Sequence, residues 1–401
     1  MQKISWLVAF VSFTCLRALA GTLSDAVWNA PMVVSSRQQM EAAVQRLDAA
    51  GRWTDPELEG MYSEKRMPDE TNPMWEVNLV QPLPKYGERA ADRDRAQARA
   101  HMARADLQLM AATVAAEVSM ALADRDAAIR RRAIMRVQQE KTARALAAVE
   151  ARIGAGQSAL GESLALKSRL ASMLLDLDRE TLMADEAERE ARRLLGLAES
   201  QPLPDFSAPQ PADIDPDRSP ETTLIAAQKD EARAMRAMAR AEGRPMTAVG
   251  LRFEREEAAD GNEDTVGVAL MTELPWNSRR YARAEAAAAE AELAGRDAET
   301  ESLRWRIEAD RTNAARFIEW AEKTRISVSE NLNRLDREYD AWIASTGTTG
   351  SMGASSVLML VDLLERGTML QIQSVEAESE ALKARAALWK YVTMEPGESH
   401  E

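Results

Sequence analysis

The chain has 401 residues, of which 29% are charged, 45% hydrophobic and only 5% aromatic, and its formal net charge is −14. That acidity excludes a nucleic-acid backbone as partner, and an alanine-rich, charged, aromatic-poor composition describes long helices. One cysteine, Cys15, and two histidines, His101 and His400, cannot build a thiol or imidazole metal centre, and no HExxH, GxSxG or phosphate-loop motif occurs, so no enzyme, cofactor or metal site is expected.

Residues 1–20 read as a secretory signal. Lys3 gives the charged start, Ile4 to Leu16 the apolar core, and Ala18-Leu-Ala20 the small-residue cleavage site before Gly21. Cleavage there removes Cys15, and a lipoprotein site fits Ser12-Phe-Thr14 poorly. No later stretch approaches the ~18 apolar residues of a membrane helix, so entry into a membrane would have to be by strands. Pro31 to Ala50 is a predicted helix with Met40, Ala43, Val44 and Leu47 on one face, ended by Gly51. Glu57 to Lys65 and Met74 to Pro82 then alternate. Leu58, Gly60 and Tyr62 oppose Glu59, Met61 and Ser63, while Trp75, Val77 and Leu79 oppose Glu76, Asn78 and Val80. Each segment has about 9 residues, the length of a membrane-spanning strand, although a half-buried sheet of a soluble protein shows the same alternation.

From Lys85 to about Arg152 a single rod is expected, with Leu107, Met110, Val114, Val118 and Leu122 as its apolar stripe. At 1.5 Å per residue it would run roughly 100 Å. Arg130-Arg131-Arg132 reads as a solvated face of it. Gly154 and Gly156 break the rod, and a shorter helix covers Leu160 to Leu197. Residues 198–218 form a linker carrying Pro202, Pro204, Pro209, Pro211 and Pro216. Ser219-Pro220-Glu221 then caps a helix that runs to Gly243. A second strand pair follows, with Val249, Leu251 and Phe253 against Gly250, Arg252 and Glu254, then Val266, Val268 and Leu270 against Gly267, Ala269 and Met271. The polar segments Arg66 to Pro73 and Glu257 to Asp264 read as the two hairpin loops. Asn277 to Tyr339 is the second rod, with Leu303, Ile307, Ala314, Phe317, Ala321, Leu332 and Leu335 as its apolar positions. Thr346 to Ser355 is a small-residue break, and Ser356 to Val392 is the last helix.

The second half repeats the first. Val77-Asn-Leu-Val-Gln-Pro-Leu-Pro-Lys-Tyr-Gly-Glu-Arg89 aligns with Val268-Ala-Leu-Met-Thr-Glu-Leu-Pro-Trp-Asn-Ser-Arg-Arg280, matching at the valines, two leucines, the proline and the final arginine. The register holds without a gap from Glu57 to Gly156 against Ala248 to Gly347. Each half reads helix, strand, strand, long helix, helix, and a chain of such elements must cover its apolar stripes with copies of itself or a partner.

These residues resemble the TolC family of outer-membrane efflux ducts, in its heavy-metal and cation branch. The resemblance rests on Asn29-Ala-Pro31, Asp55-Pro56, Trp75 through Arg89, Ile153-Gly-Ala-Gly156 and Leu194-Leu-Gly196. It implies a mainly α fold with a small β part, in which two helix-strand-strand-helix repeats build a long α-helical barrel and, from about four strands per protomer, a trimeric transmembrane β-barrel. The expected divisions are a signal peptide at 1–20, repeats at 21–197 and 219–393 around the 198–218 linker, and a polar tail at 394–401. The implied function is the passive exit duct of a tripartite efflux system, working with a periplasmic adaptor and an inner-membrane pump of RND type. Its place would be the outer membrane, with an extension into the periplasm, and metal cations are a candidate cargo. Asn29-Ala-Pro31 departs from the usual Asn-Pro, and the second break, Trp342-Ile-Ala-Ser-Thr-Gly347, carries a Gly/Ser/Thr-rich insertion.

The resemblance places Glu162 at the periplasmic constriction, with Asp362 and Glu365 as the nearest acids of the second half. Each also reads as an ordinary solvated carboxylate. Met352, Met359 and Met369 lie near the same tip, where thioethers could hold monovalent copper or silver or simply fill a core. Two rivals compete with the duct. A periplasmic adaptor would show a lipoyl-like sheet around one hairpin, and a soluble coiled-coil scaffold would show no strands.

Overall fold

The computed structural model describes residues 23–66, 71–154, 160–258, 261–346 and 354–395. The expected signal segment and Met352 lie outside these residues. The elements are α1 (Leu23–Trp28), α2 (Pro31–Ala49), β1 (Glu57–Arg66), β2 (Thr71–Leu83), α3 (Glu88–Gly154), α4 (Leu160–Leu195), α5 (Pro220–Glu242), β3 (Met246–Ala258), β4 (Gly261–Glu273), α6 (Ser278–Thr346) and α7 (Ala354–Ala387). The helix, strand, strand, long helix, helix order thus occurs twice. The short α1 was not anticipated, and α6 runs past Tyr339 to Thr346.

The chain divides into two units, one made of Met1–Val34, Leu109–Ser219 and Arg306–Glu401, the other of Ser35–Gln108 and Pro220–Trp305. The second unit holds the sheet. Its strands pair in the order β1-β2-β3-β4, all antiparallel. Its helices meet through small side chains: Ala91, Ala98, Ala100 and Ala105 of α3, Ala227, Ala232 and Ala234 of α5, and Ala282 and Ala289 of α6 are buried. Few methylenes separate such helices, so their backbones come close and long side chains bridge at the margins. Arg99 pairs with Glu231 at 2.8 Å, Lys229 with Asp297 at 2.8 Å and Arg236 with Glu290 at 3.3 Å. Gly51 ends the α2 segment at φ +66°, where a Cβ would meet Arg93 Nε at 2.6 Å. Its N–H donates to Asp92 and its carbonyl accepts from Arg89, each at 2.8 Å, tying it to the start of α3.

The first unit is a helical bundle. Its α3 stretch is buried at Ala111, Ala112, Val114, Ala115, Ala116, Val118 and Leu122. Contrary to the expectation for the chain beyond the signal, a window of α3 is apolar enough to cross a membrane, with mean hydropathy 1.2; 61% of it is buried inside the protein, as in the core helix of a bundle. Arg130 is exposed, as a solvated face requires, but Arg131 and Arg132 are half-buried. Arg130 pairs with Glu378 of α7 and Arg131 with Glu180 of α4, both at 2.8 Å, so each has a carboxylate of a neighbouring helix facing it. Of the predicted α6 stripe, Leu303, Ile307, Ala314 and Ala321 are buried, but Phe317 is exposed and stacks edge-on against Trp320.

The Pro-rich linker is strapped down. Ser207 O accepts from Ser119 Oγ and Trp389 Nε1, both at 3.0 Å, and Ala208 O accepts from Arg385 at 2.8 Å. Gly196, at φ +67°, closes α4 with paired bonds from its own N–H to Arg193 O and from Leu197 N–H to Arg192 O, a Schellman arrangement. Pro31 packs directly on it, so two of the separate sequence signatures are one contact. Met394, assigned to the polar tail, is buried.

Candidate functional sites: a two-faced sheet and a helix tip

Because side chains alternate along a strand and paired residues share a face, the register sorts the sheet into two surfaces. One carries the rows Leu58–Leu79–Leu251–Val268 and Gly60–Val77–Phe253–Val266. It is apolar, and none of the described residues covers it: Val266, Val268 and Leu270 are 72–77% exposed. The run from Trp75 to Leu83 covers about 26 Å along the strand, or about 20 Å along a membrane normal at ~40° tilt, close to the ~25 Å apolar band of outer-membrane barrels. Tyr62 and Trp75 meet at 4.8 Å at one end of this face, where aromatic residues suit a lipid–water boundary. In the same row Arg255 clasps Asp264 with two bonds of 2.6 and 2.9 Å. The hairpins are therefore tighter than expected, since Glu257 to Asp264, read as loop, pairs as Glu257↔Asn262 and Ala258↔Gly261. Polarity misled there, because the β3–β4 ladder continues past the apolar rows through polar residues.

The opposite face is polar and small. Glu59–Asn78–Arg252–Gly267 and Met61–Glu76–Glu254–Thr265 form its rows. Glu76 is 8% exposed, accepts from Asn78 Nδ2 at 2.7 Å and from Arg252 at 3.0 Å, and the same guanidinium reaches Glu254 at 2.9 Å. An uncovered apolar face and a hydrogen-bonded charged face on one sheet fit lipid outside and water inside. Among the described residues the outer edges of β1 and β4 have no strand partner. Four successive antiparallel strands make those two edges run antiparallel, so one copy's β1 can continue the ladder of another copy's β4.

The second site is the tip of the bundle. Ala145 and Val149 of α3, Leu166 of α4, and Leu360 and Leu364 of α7 form a buried cluster, against which Ile153 and Tyr339 pack. Charged side chains ring it. Lys167 meets Glu150 at 2.9 Å, Arg169 meets Glu365 at 3.6 Å, and Lys141 meets Asp336 at 3.5 Å while lying 5.6 Å from the Tyr339 ring. Burial raises the Tyr339 phenol above its usual range, against the pull of Arg144. Of the sequence-predicted residues, Asp362 and Glu365 are exposed on α7. Asp362 accepts two bonds from Arg366, at 2.9 and 3.1 Å. The side chain of Glu162 lies outside the described residues, and α4 meets α7 seven residues further on, at Arg169–Glu365. Met359 and Met369 are exposed, and no group of His, Cys, Asp or Glu among the described residues is arranged to hold a metal. The inter-helix ion pairs escaped sequence reading, since partners on different helices share no fixed spacing.

Residues 22–197 match the family model described as outer membrane efflux protein. No curated protein sequence matches the chain. Among solved structures, the outer-membrane channel OprN is similar at 17% identity over 93% of this chain and 89% of its own, with a TM-score of 0.70. A membrane protein from Pseudomonas aeruginosa is similar at 17% identity over 94% and 91%, with a TM-score of 0.72. The Campylobacter jejuni CmeC outer membrane channel is similar at 12% identity over 94% and 86%, with a TM-score of 0.65. At these identities the likeness establishes the fold.

Proposed function

We propose that this outer-membrane protein, with the fold of the efflux channels and an outer membrane efflux protein repeat over residues 22–197, is the passive exit duct of a tripartite efflux system. Three copies would close their sheets into one barrel of about twelve strands, an even number as antiparallel closure requires. Lipid leaves no water for unpaired backbone groups, so an open edge is not viable there. The helices extend into the periplasm, where they would receive cargo from an adaptor and an inner-membrane pump of RND type. The observation that carries this reading is the sheet: an uncovered apolar face, a charged opposite face and two free antiparallel edges. A purely coiled-coil scaffold would have no such strands, and an adaptor would carry a lipoyl-like sheet.

Cations, metal ions among them, are the cargo class we favour. Glu57, Glu59, Glu76 and Glu254 outnumber Arg252 on the inward face, and water-filled pores lined by carboxylates concentrate cations. Glu162, with Asp362 and Glu365, would add acids at the periplasmic constriction. The division into repeats at 21–197 and 219–393 with a strapped connector between them is part of the same reading. Light scattering of the detergent-solubilised protein should give the mass of three chains, and outer-membrane fractions should show an oligomer that dissociates on heating. A stable monomer would overturn the duct.

A further inference from the structure

Where strands give way to helices, the sheet-bearing unit carries a cationic and aromatic cluster that conduction does not use. Tyr86 and Trp276 are each 83% exposed, just past the ends of β2 and β4. Beside Trp276 lies a cleft of about 350 Å³ lined by Lys85, Arg244, Glu273, Leu274 and Asn277 among others. Arg244 donates to Tyr86 O at 2.6 Å and lies 4.7 Å from the Tyr86 ring; Lys85 Nζ donates to Glu242 O at 3.4 Å. Both cations thus rest on neutral carbonyls, and neither forms an ion pair among the described residues. Glu273, paired with Met246 on the polar face, is the one carboxylate of the lining, which takes residues from both faces at the end of the sheet and keeps a net positive charge.

We propose that this cleft binds the head group of an anionic phospholipid in the periplasmic leaflet, with the phosphate between Lys85 and Arg244 and the acyl chains running along Leu274 and the apolar sheet face. The inference rests on the duct reading, which puts the strand–helix junction at the membrane's periplasmic surface. Two features select a lipid over a free anion. Exposed Leu274 continues the apolar face of β4 out of the cleft, and Trp276 offers an amphipathic ring at head-group level. A soluble phosphate would gain nothing from either.

The test is native mass spectrometry of the full-length oligomer from mixed micelles containing phosphatidylglycerol and phosphatidylcholine with identical acyl chains. Phosphatidylglycerol should be retained preferentially. The Lys85→Gln/Arg244→Gln double variant should lower that preference about 30-fold, at about 1 kcal/mol for each cation, and Glu273→Gln should raise it. Equal retention of the two lipids, or a preference unchanged in the double variant, overturns the proposal. So does displacement of the lipid by glycerophosphate without chains, which would mark a free-anion site. The heat-dissociable oligomer is scored in the same samples. A lipid result against the proposal with the oligomer intact leaves the duct standing; loss of the oligomer in the unaltered protein removes both.

Discussion

An arginine at position 268 should prevent assembly in the membrane, and an arginine at position 269 should not. Val268 ends the row Leu58–Leu79–Leu251–Val268 on the edge strand β4, is 77% exposed, and has apolar neighbours on its own face at Val266 and Leu270. A guanidinium there cannot reach the Arg255–Asp264 pair near the hairpin end without crossing Val266. Its cost near the midplane is about 2–4 kcal/mol. In the proposed barrel of three copies that would be roughly 6–12 kcal/mol, comparable to the whole stability of a typical domain. Ala269 lies on the other face, paired with Gly250, which itself has no side chain. An arginine there projects toward water, near an acidic surface that includes Glu76 and Glu254.

The assay is the amount of heat-dissociable oligomer in outer-membrane fractions, normalised to total chain. Val268→Arg should lose most of it and Ala269→Arg should keep most of it. Val77→Arg, on the same face as Val268 and in the adjoining row, should behave like Val268→Arg. Equal tolerance at 268 and 269 would refute the assignment of faces, and equal loss at both would mean that the strand tolerates no bulk rather than that one side meets lipid.

Other expectations concern the bundle. Glu162→Gln should reduce cation preference in single-channel recordings; unchanged selectivity in an assembled duct removes Glu162 from the gate. Asp362→Asn and Glu365→Gln should act in the same direction and more strongly, because each also strips an arginine, Arg366 or Arg169, of its partner; no shift from either would place them away from the lumen. Gly196→Ala should destabilise by about 1–2 kcal/mol, since φ is +67° and the added Cβ meets Pro31 Cγ at 2.8 Å; chemical denaturation of the purified protein reads it, and a neutral result would mean the α4 terminus is not held as described. Hydrogen bonding from Arg192, offset in part by burial and reinforced by Arg125, holds the Glu188 carboxyl below the ordinary glutamate value of 4.5. A depressed carboxylate stabilises above its unfolded value and loses that contribution as pH falls through the folded one. The melting temperature should therefore drop less between neutral pH and the region below 4.5 in Glu188→Gln than in the unaltered protein; parallel curves would remove the pair from the acid response.

Most of the architecture was legible because its signals are periodic and occur twice. Leu107, Val114, Val118 and Leu122 recur at helical spacing and are buried; Val266, Val268 and Leu270 alternate and share one face. Boundaries failed where periodicity gave way to composition. Glu257 and Asn262 look like loop residues, yet they pair directly across β3 and β4, because a strand end beyond the apolar rows can be polar. The same limit hid the function of Arg131. A basic run on a helix reads as solvated unless the acid facing it is known, and Glu180 lies 49 residues away on another helix. The tip was legible least, since its ion pairs join four helices and its acids carry no pattern that separates a lumen from an outer surface.

The sheet also explains why this chain should not be stable alone. A four-stranded sheet needs one face covered, and here the side that is covered by nothing is the apolar one. The polar side is held by Arg252 bridging Glu76 and Glu254, a contact within a single copy that needs no partner. Assembly therefore has to supply lipid to one face and strand partners to two edges together, since pairing the edges in water would still leave the apolar rows exposed, and lipid around an open sheet would strand the unpaired N–H and C=O groups. Folding of the helices can precede this, because their cores are alanine and leucine contacts made within the chain. In the proposed duct, closure of the sheet and entry into the membrane would therefore belong to one step.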